Sequence, residues 1–387
     1  MSETFVPSHG APRFAGLTPP DPADQERSRI LTDRIRTRIG DRGGWLPFDE
    51  YMQMALYEPG LGYYDAGARK FGPGGDFTTA PEISPLFARA LAAQLAQAFG
   101  TLAANVLEFG AGTGALAQEL IAELQRLGVA VHYDIVEVSA NLRARQGKRL
   151  AGLPVRWLDS LPEDFEGVIL ANEVLDVIPV RLFVRGARAV LERGVEAGAD
   201  QLQFALQAAD EPLQQAVAHI ESITGALPEG YGSECCPLAS GWLRALAASL
   251  RRGLILLLDY GFPCGEYYHP QRAMGTLMCH YRHQAHTGVL WMPGCNDITA
   301  HVDFSACART AKASGLTVLG YTSQAHFLLN CGILDELAGA LTAQNSAAVQ
   351  RLVSEAEMGE LVKAMALARD FEAPLLGFAR GDRRHRL

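Results

Sequence analysis

The sequence predicts an α/β fold: a doubly wound, mostly parallel, seven-stranded sheet with N-terminal helices and two insertions. Three observations predict it. From Asn105 onward, short apolar runs alternate with amphipathic stretches, joined by glycine-bearing turns. The run "GLILLLDYG" (253–261) is apolar at both alternating sets of positions, as a strand covered on two faces must be. The glycine-rich "GAGTGA" (110–115) lies between a strand-like and a helix-like stretch, where such sheets turn toward a ligand.

Taken in order, residues 1–27 are rich in Pro, Ser, Gly and Asp and are expected to form a mobile arm. Residues 28–104 form a helical region. "SRILTDRIRTRIG", "LPFDEYMQMALYEPG" and "PLFARALAAQLAQAF" carry apolar residues at helical spacing, and the second stops at Pro59-Gly60. Before the third, "GPGGDFTTAPEIS" offers two helix starts: a capping box at Thr79 to Glu82, and Ser84-Pro85 with proline in the first helical position. Residues 105–387 hold the core. Its strands are "NVLEFG", "VHYDIVEVS", "VRWLDS", "GVILANE", "GLILLLDYG", "LTVLGYTS" and, last, "APLLGFARG". Insertions interrupt it at about 180–252, of mixed character, and 330–370, helical.

A chain of 387 residues, 48% of them hydrophobic, can bury a large core. Its net charge of −9 argues against a general nucleic-acid binder, which needs a basic surface. The apolar runs fall short of the roughly 20 residues that a spanning helix requires, and the first residues do not read as a signal peptide. Seven cysteines without a CxxC pair point to reduced thiols and a cytoplasmic location. "CHYRHQAH" gathers Cys279, His280, His283 and His286, yet their spacing matches no standard zinc pattern, so no metal is expected. The tail "RGDRRHRL" reads as a solvated end.

The glycines Gly110, Gly112 and Gly114 close a strand and open a helix, which lets a ligand lie against main-chain amides. Glu137 tips the next strand, where an acid can take two ribose hydroxyls. The pattern also satisfies the dinucleotide form GxGxxG/A, which leaves a nicotinamide-dependent oxidoreductase open. The GxGxG spacing and Glu108, two residues ahead of the first glycine, favour S-adenosylmethionine.

"LEFGAGTGALA", "VEVS" and "ANEVLDVIP" together resemble the class I, Rossmann-like S-adenosylmethionine-dependent methyltransferases. "LPFDEYMQMALYEPGLGYY", "GDFTTAPEISPLF", "LLLDYGF" and "DITAHVDFSA" narrow the resemblance to the MidA-like family, which includes a mitochondrial complex I assembly methyltransferase. The resemblance implies that Glu108, Gly110, Gly112 and Gly114 cradle the methionine and ribose, that Glu137 holds the ribose, and that Asp159 and Ser160 flank the adenine. Asn172 ends the fourth strand at the ligand edge. Gly75, Asp76 and Thr78 belong to a lid facing the cofactor.

The implied acceptor is a protein arginine, on a complex I-type subunit. Its guanidinium stays protonated and needs carboxylates to orient it. Glu173 and Asp176 are the first candidates, with Asp259 a further acid at a strand end. His301, paired in sequence with Asp303, is a candidate base or positioning group. Small-molecule methylation stays open, because the first insertion suits either a pocket or a docking face. Monomer and homodimer are both open.

Overall fold

A computed structural model describes residues 20–66 and 78–387. Most of the expected arm, and Gly75 and Asp76 of the expected lid, lie outside the described residues.

The central sheet comprises β1 (Asn105–Phe109), β2 (His132–Val136), β3 (Val155–Leu158), β4 (Phe165–Asn172), β5 (Leu250–Phe262), β6 (Thr317–Ser323) and β7 (Val362–Arg369). They lie in the order β3-β2-β1-β4-β5-β7-β6. Strands β1 to β5 run parallel, and β7 is antiparallel to both β5 and β6. A two-residue eighth strand, Val302–Asp303, pairs with the end of β5. The sheet is therefore mixed and has one strand more than the sequence led us to expect.

Strand β5 explains why helices cover both faces. Its side chains alternate, so Leu254, Leu256 and Leu258 join the core on one face while Ile255 and Leu257 join that on the other. Helices α3 (Pro85–Phe99) and α4 (Ala115–Arg126) pack on the first face. Helices α6 (Pro237–Ser249) and α7 (Phe304–Ala313) pack on the second. Between them in sequence, α5 (Ala140–Arg149) follows β2. Helix α1 (Pro22–Asp41) starts within the expected arm, because the Asp21 side chain accepts from the Asp24 amide at 2.8 Å and Pro22 takes the first turn. With α2 (Phe48–Tyr57) it forms a separate apolar cluster beside the first insertion.

The insertion at 180–252 ends in α6, which is a core helix. Its earlier part makes an antiparallel sheet that also takes in Leu46–Pro47. Residues 278–299 make a small three-stranded sheet, Met278–Tyr281 with Gln284–His286 and Asp297–Thr299.

The last strand is not "APLLGFARG". Pro374 and Gly377 interrupt that stretch, which makes a short 3₁₀ turn at Leu376–Phe378 whose Phe378 ring packs on Phe327. The strand is β7, "VKAMALAR", within the expected helical insertion. Alanine, leucine, methionine and lysine favour helix, but strands on both sides and burial on both faces override that propensity.

The capping box at Thr79 does not form. Thr79 makes no side-chain cap bond, and Glu82 reaches away to the Thr113 hydroxyl and to Arg149, whose charge strengthens the contact. Ser84 is the working cap: its hydroxyl accepts from the Leu86 amide at 3.2 Å and starts α3. The arginine-rich tail is also held. Arg383 pairs with Glu360 at 2.5 Å, and its amide donates to the Tyr321 carbonyl at 2.6 Å on β6.

Leu257 is fully buried within β5. Leu257→Ala is expected to lower unfolding stability by about 2–5 kcal/mol in urea titrations without altering the circular-dichroism spectrum of the native state.

Candidate active site

Strand order reverses between β1 and β4, so the loops leaving them diverge to opposite sides and open a crevice at their carboxyl ends. A cavity of about 1090 Å³ lies there. The loop after β1 supplies Gly110, Gly112 and Thr113; the end of β4 supplies Asn172, and the loop after it Glu173 and Asp176. Tyr57, Tyr64, Asp297 and His301 come from outside the central sheet.

Gly110 and Gly112 turn the chain at φ of 60° and 54°, left-handed values that favour glycine. Gly114 does not line the cavity. It is the N-cap of α4, at φ 82°, and a Cβ there would meet Leu150 at 3.3 Å. Glu108 is buried beside the loop and accepts from the Tyr133 hydroxyl at 2.9 Å. Burial pushes its carboxyl up to about 8, with a smaller contribution from Glu137 in the same direction.

Glu137 is held by its own turn and by a neighbour. It accepts from the Ser139 amide at 2.9 Å and from Gln146 Nε2 at 2.8 Å. Gln146 also donates to the Gly112 carbonyl at 3.0 Å, while its Oε1 accepts from Trp157 Nε1 at 2.9 Å. One fully buried amide thus links the glycine loop, the acid tip of β2, and β3. Of the residues expected near the adenine, Asp159 faces solvent in an ion pair with Arg143, and neither it nor Ser160 reaches the cavity. Val138 and Leu161 line it instead. Thr78 also lies on the lining.

Opposite lies an acidic wall. Glu173 takes a left-handed backbone, φ 54°, and its Oε1 accepts from the Ala80 amide at 3.1 Å and from Asn172 Nδ2 at 3.2 Å. Burial, partly offset by the Ala80 bond, pushes its carboxyl up to about 7. Asp176 is buried, and burial together with Asp259, Asp297 and Glu173 drives its carboxyl well above the usual range. Asp297 accepts from the Tyr64 hydroxyl at 2.9 Å.

Asp259, fully buried, accepts from three backbone amides: Val174 at 3.0 Å, Leu175 at 2.8 Å and Tyr260 at 2.8 Å. Two acceptors on the wall, Oδ1 of Asn172 and Oδ1 of Asp176, are buried and meet no donor among the described residues.

His301 lines the cavity with its ring stacked on Phe262, centroids 5.2 Å apart. Burial, then the charges of Arg272 and Lys363, push its imidazole down to about 4, so it is neutral at physiological pH. Asp303, its partner in sequence, is the N-cap of α7 and accepts from the Ala306 amide at 3.0 Å. Cys279 is buried in the small sheet, and His286 Nε2 lies 3.1 Å from Asn296 Oδ1. Among the described residues no group of three His, Cys, Asp or Glu side chains is arranged to hold a metal. Gln146, Asp297 and Tyr64 are site residues that the sequence analysis missed. Only Gln146 had a signal, its place on the helix after the acid-tipped strand.

A glycine loop, an acid-tipped second strand and a carboxylate-lined cavity at the switch point define the S-adenosylmethionine-dependent methyltransferase class. The chain belongs to the S-adenosyl-L-methionine-dependent methyltransferase family whose model matches residues 88–322. A crystal structure from Burkholderia thailandensis bound to S-adenosyl-homocysteine is 48% identical with a TM-score of 0.90, covering 96% of this chain and 100% of that one. The mouse protein arginine methyltransferase NDUFAF7, mitochondrial, is 29% identical over 81% of this chain and 76% of its own length. The human counterpart is 28% identical over 82% and 79%.

S-adenosylmethionine is thus the methyl donor, and the nicotinamide alternative falls. These relatives are named mitochondrial, which overturns the cytoplasmic location inferred from the cysteines. The donor set fits the cofactor. Its ammonium and sulfonium are cationic and its ribose offers two donors, against the carboxylates of Glu108 and Glu137 on the cavity lining.

Raised carboxyl groups also set how stability depends on pH. Their neutral forms favour the fold, a contribution present at low pH and lost as pH rises through about 7 for Glu173 and about 8 for Glu108. Urea titration of the cofactor-free chain is expected to give lower stability at pH 9 than at pH 6, with a smaller difference in Glu108→Gln. Gly112→Val forces a β-branched residue into the left-handed region. It is expected to abolish S-adenosylmethionine binding in calorimetry while the protein stays folded.

Proposed function

We propose that the chain transfers a methyl group from S-adenosylmethionine to a guanidinium nitrogen of a protein arginine. The observation that carries this reading is the acidic wall, where two buried acceptors, on Asn172 and Asp176, await donors beside Glu173. A guanidinium brings five N–H donors in a planar fork and a permanent charge. The relatives named protein arginine methyltransferases support the same acceptor. The protein we propose to carry that arginine is a complex I-type subunit, on the strength of the family resemblance.

In this reading Gly110 and Gly112 let the cofactor lie against the main chain, Glu137 takes its ribose hydroxyls, and Glu108 faces its cationic methionine end. Val138 and Leu161 offer apolar contact for the adenine, and Thr78 closes over it from the lid side. When bound, S-adenosylmethionine supplies an electrophilic methyl group on sulfur. Asn172, Glu173 and Asp176 orient the guanidinium so that one nitrogen points along the line of displacement, which is where alignment lowers the barrier. Glu173, with its carboxyl near 7, accepts the proton released as the new N–C bond forms. His301, neutral and too weak a base for that task, contacts the acceptor's stem. Tyr57 and Tyr64, stacked at 5.5 Å, wall the crevice against water.

The purified chain, given S-adenosylmethionine and a recombinant complex I-type subunit, is expected to add methyl groups to arginine, read by peptide mass spectrometry. Methylation confined to another residue type would overturn the reading. Glu173 must be ionised to act, so kcat/KM is expected to rise with pH through about 7 and then level off. Glu173→Gln is expected to remove that rise and to lower kcat by roughly 100-fold or more.

A further inference from the structure

We infer that Asp259 is a positioning residue for methyl transfer, holding the loop after β4 in the conformation that aims Glu173 and Asp176 into the cavity. The inference rests on the acceptor reading above. Asp259 itself is fully buried and does not line the cavity, so it touches neither cofactor nor acceptor.

The geometry is specific. Leu258 on β5 pairs with Asn172 on β4, which brings Asp259 alongside the first residues of the loop. Oδ2 of Asp259 accepts from the amides of Val174 and Leu175, and Oδ1 accepts from the amide of Tyr260. The residue just before, Glu173, has a left-handed backbone at φ 54° and donates its amide to the Leu258 carbonyl at 2.8 Å. A residue with a side chain keeps such a conformation only where its surroundings over-determine it. Two consecutive residues of β5 do so here, Leu258 through its carbonyl and Asp259 through its carboxylate.

Carboxylate oxygens are the acceptors this place requires, and the backbone amides that donate to them oppose the push of burial, which raises the Asp259 carboxyl to about 7. Both of its oxygens are used, and every partner is a donor, so an amide group would turn its own N–H₂ toward a backbone N–H. Loss of the clamp frees Val174 and Leu175 and removes the restraint that keeps Glu173 beside Asn172 and the Ala80 amide. The glycine loop and Glu137 belong to β1 and β2, and no hydrogen bond of Asp259 reaches them.

The test is calorimetry on the full chain saturated with S-adenosylhomocysteine, with ethylguanidinium as the acceptor probe. Asp259→Asn is expected to bind S-adenosylhomocysteine within about threefold of wild type, as a site remote from the change should. Its affinity for ethylguanidinium is expected to fall by about tenfold or more, equivalent to about 1.4 kcal/mol. A simple loss of fold would weaken both ligands together. If Asp259→Asn is not recovered folded, Asp259→Thr, which retains one oxygen acceptor in a similar volume, takes its place with the same expectation. Ethylguanidinium affinity within about twofold of wild type in a folded variant overturns the positioning role. If wild type binds S-adenosylhomocysteine but no ethylguanidinium, the acceptor reading falls instead, and this role with it.

Discussion

A carboxylate taken out of water must find donors or a cation, or else give up its charge. Glu108, Glu173, Asp176, Asp259 and Asp297 are all withdrawn from solvent around this cavity, and the arrangement of the surrounding elements follows from how each is answered. Backbone amides answer Asp259. Tyrosine hydroxyls answer Glu108 and Asp297. Asp176 has one oxygen without a donor, and burial among other acids holds its carboxyl well above the usual range, toward the neutral form. The cofactor brings positive charge of its own to this acidic lining.

Where these groups lie is a matter of topology. Reversal of strand order places the ends of β1 and β4 side by side with their loops parted. The glycine loop serves one half of the crevice and the acidic loop the other. The wall facing the sheet is assembled from distant parts of the chain: α2 and the turn after it bring Tyr57 and Tyr64, and the small sheet brings Asp297. A hydrogen bond from Ser139, next to the acid tip of β2, to the Tyr64 carbonyl at 2.7 Å fastens the N-terminal region to the core.

Much of this was legible in the sequence, for local reasons. The glycine loop, Glu137 and the loop carrying Glu173 and Asp176 are short contiguous signals, and each lies on the cavity. So were six strands of the core, whose apolar runs are flanked by turn residues. Strand β7 was not legible, since its residues are good helix formers and its identity comes from its neighbours in the sheet. The turn at Leu376 looked like a strand because Leu375 and Phe378 are buried, although the backbone there is irregular. The family resemblance implied that Asp159 and Ser160 flank the adenine, but Asp159 faces solvent in its ion pair with Arg143. Tyr64 and Asp297 meet across a long sequence separation, which periodicity and spacing do not report.

Gln146 has a consequence beyond its contacts. An amide has a donor end and an acceptor end, and here the donor end faces two oxygens while the acceptor end faces an indole N–H. Only one of its two orientations satisfies all three partners, so the side chain behaves as a polarity key that fits one way round. Glutamate, nearly identical in shape, would set like charge against Glu137, and an apolar residue would strand the indole. Three segments are thereby indexed to one another before any ligand arrives, and the acid at the tip of β2 meets the cavity in a direction already fixed.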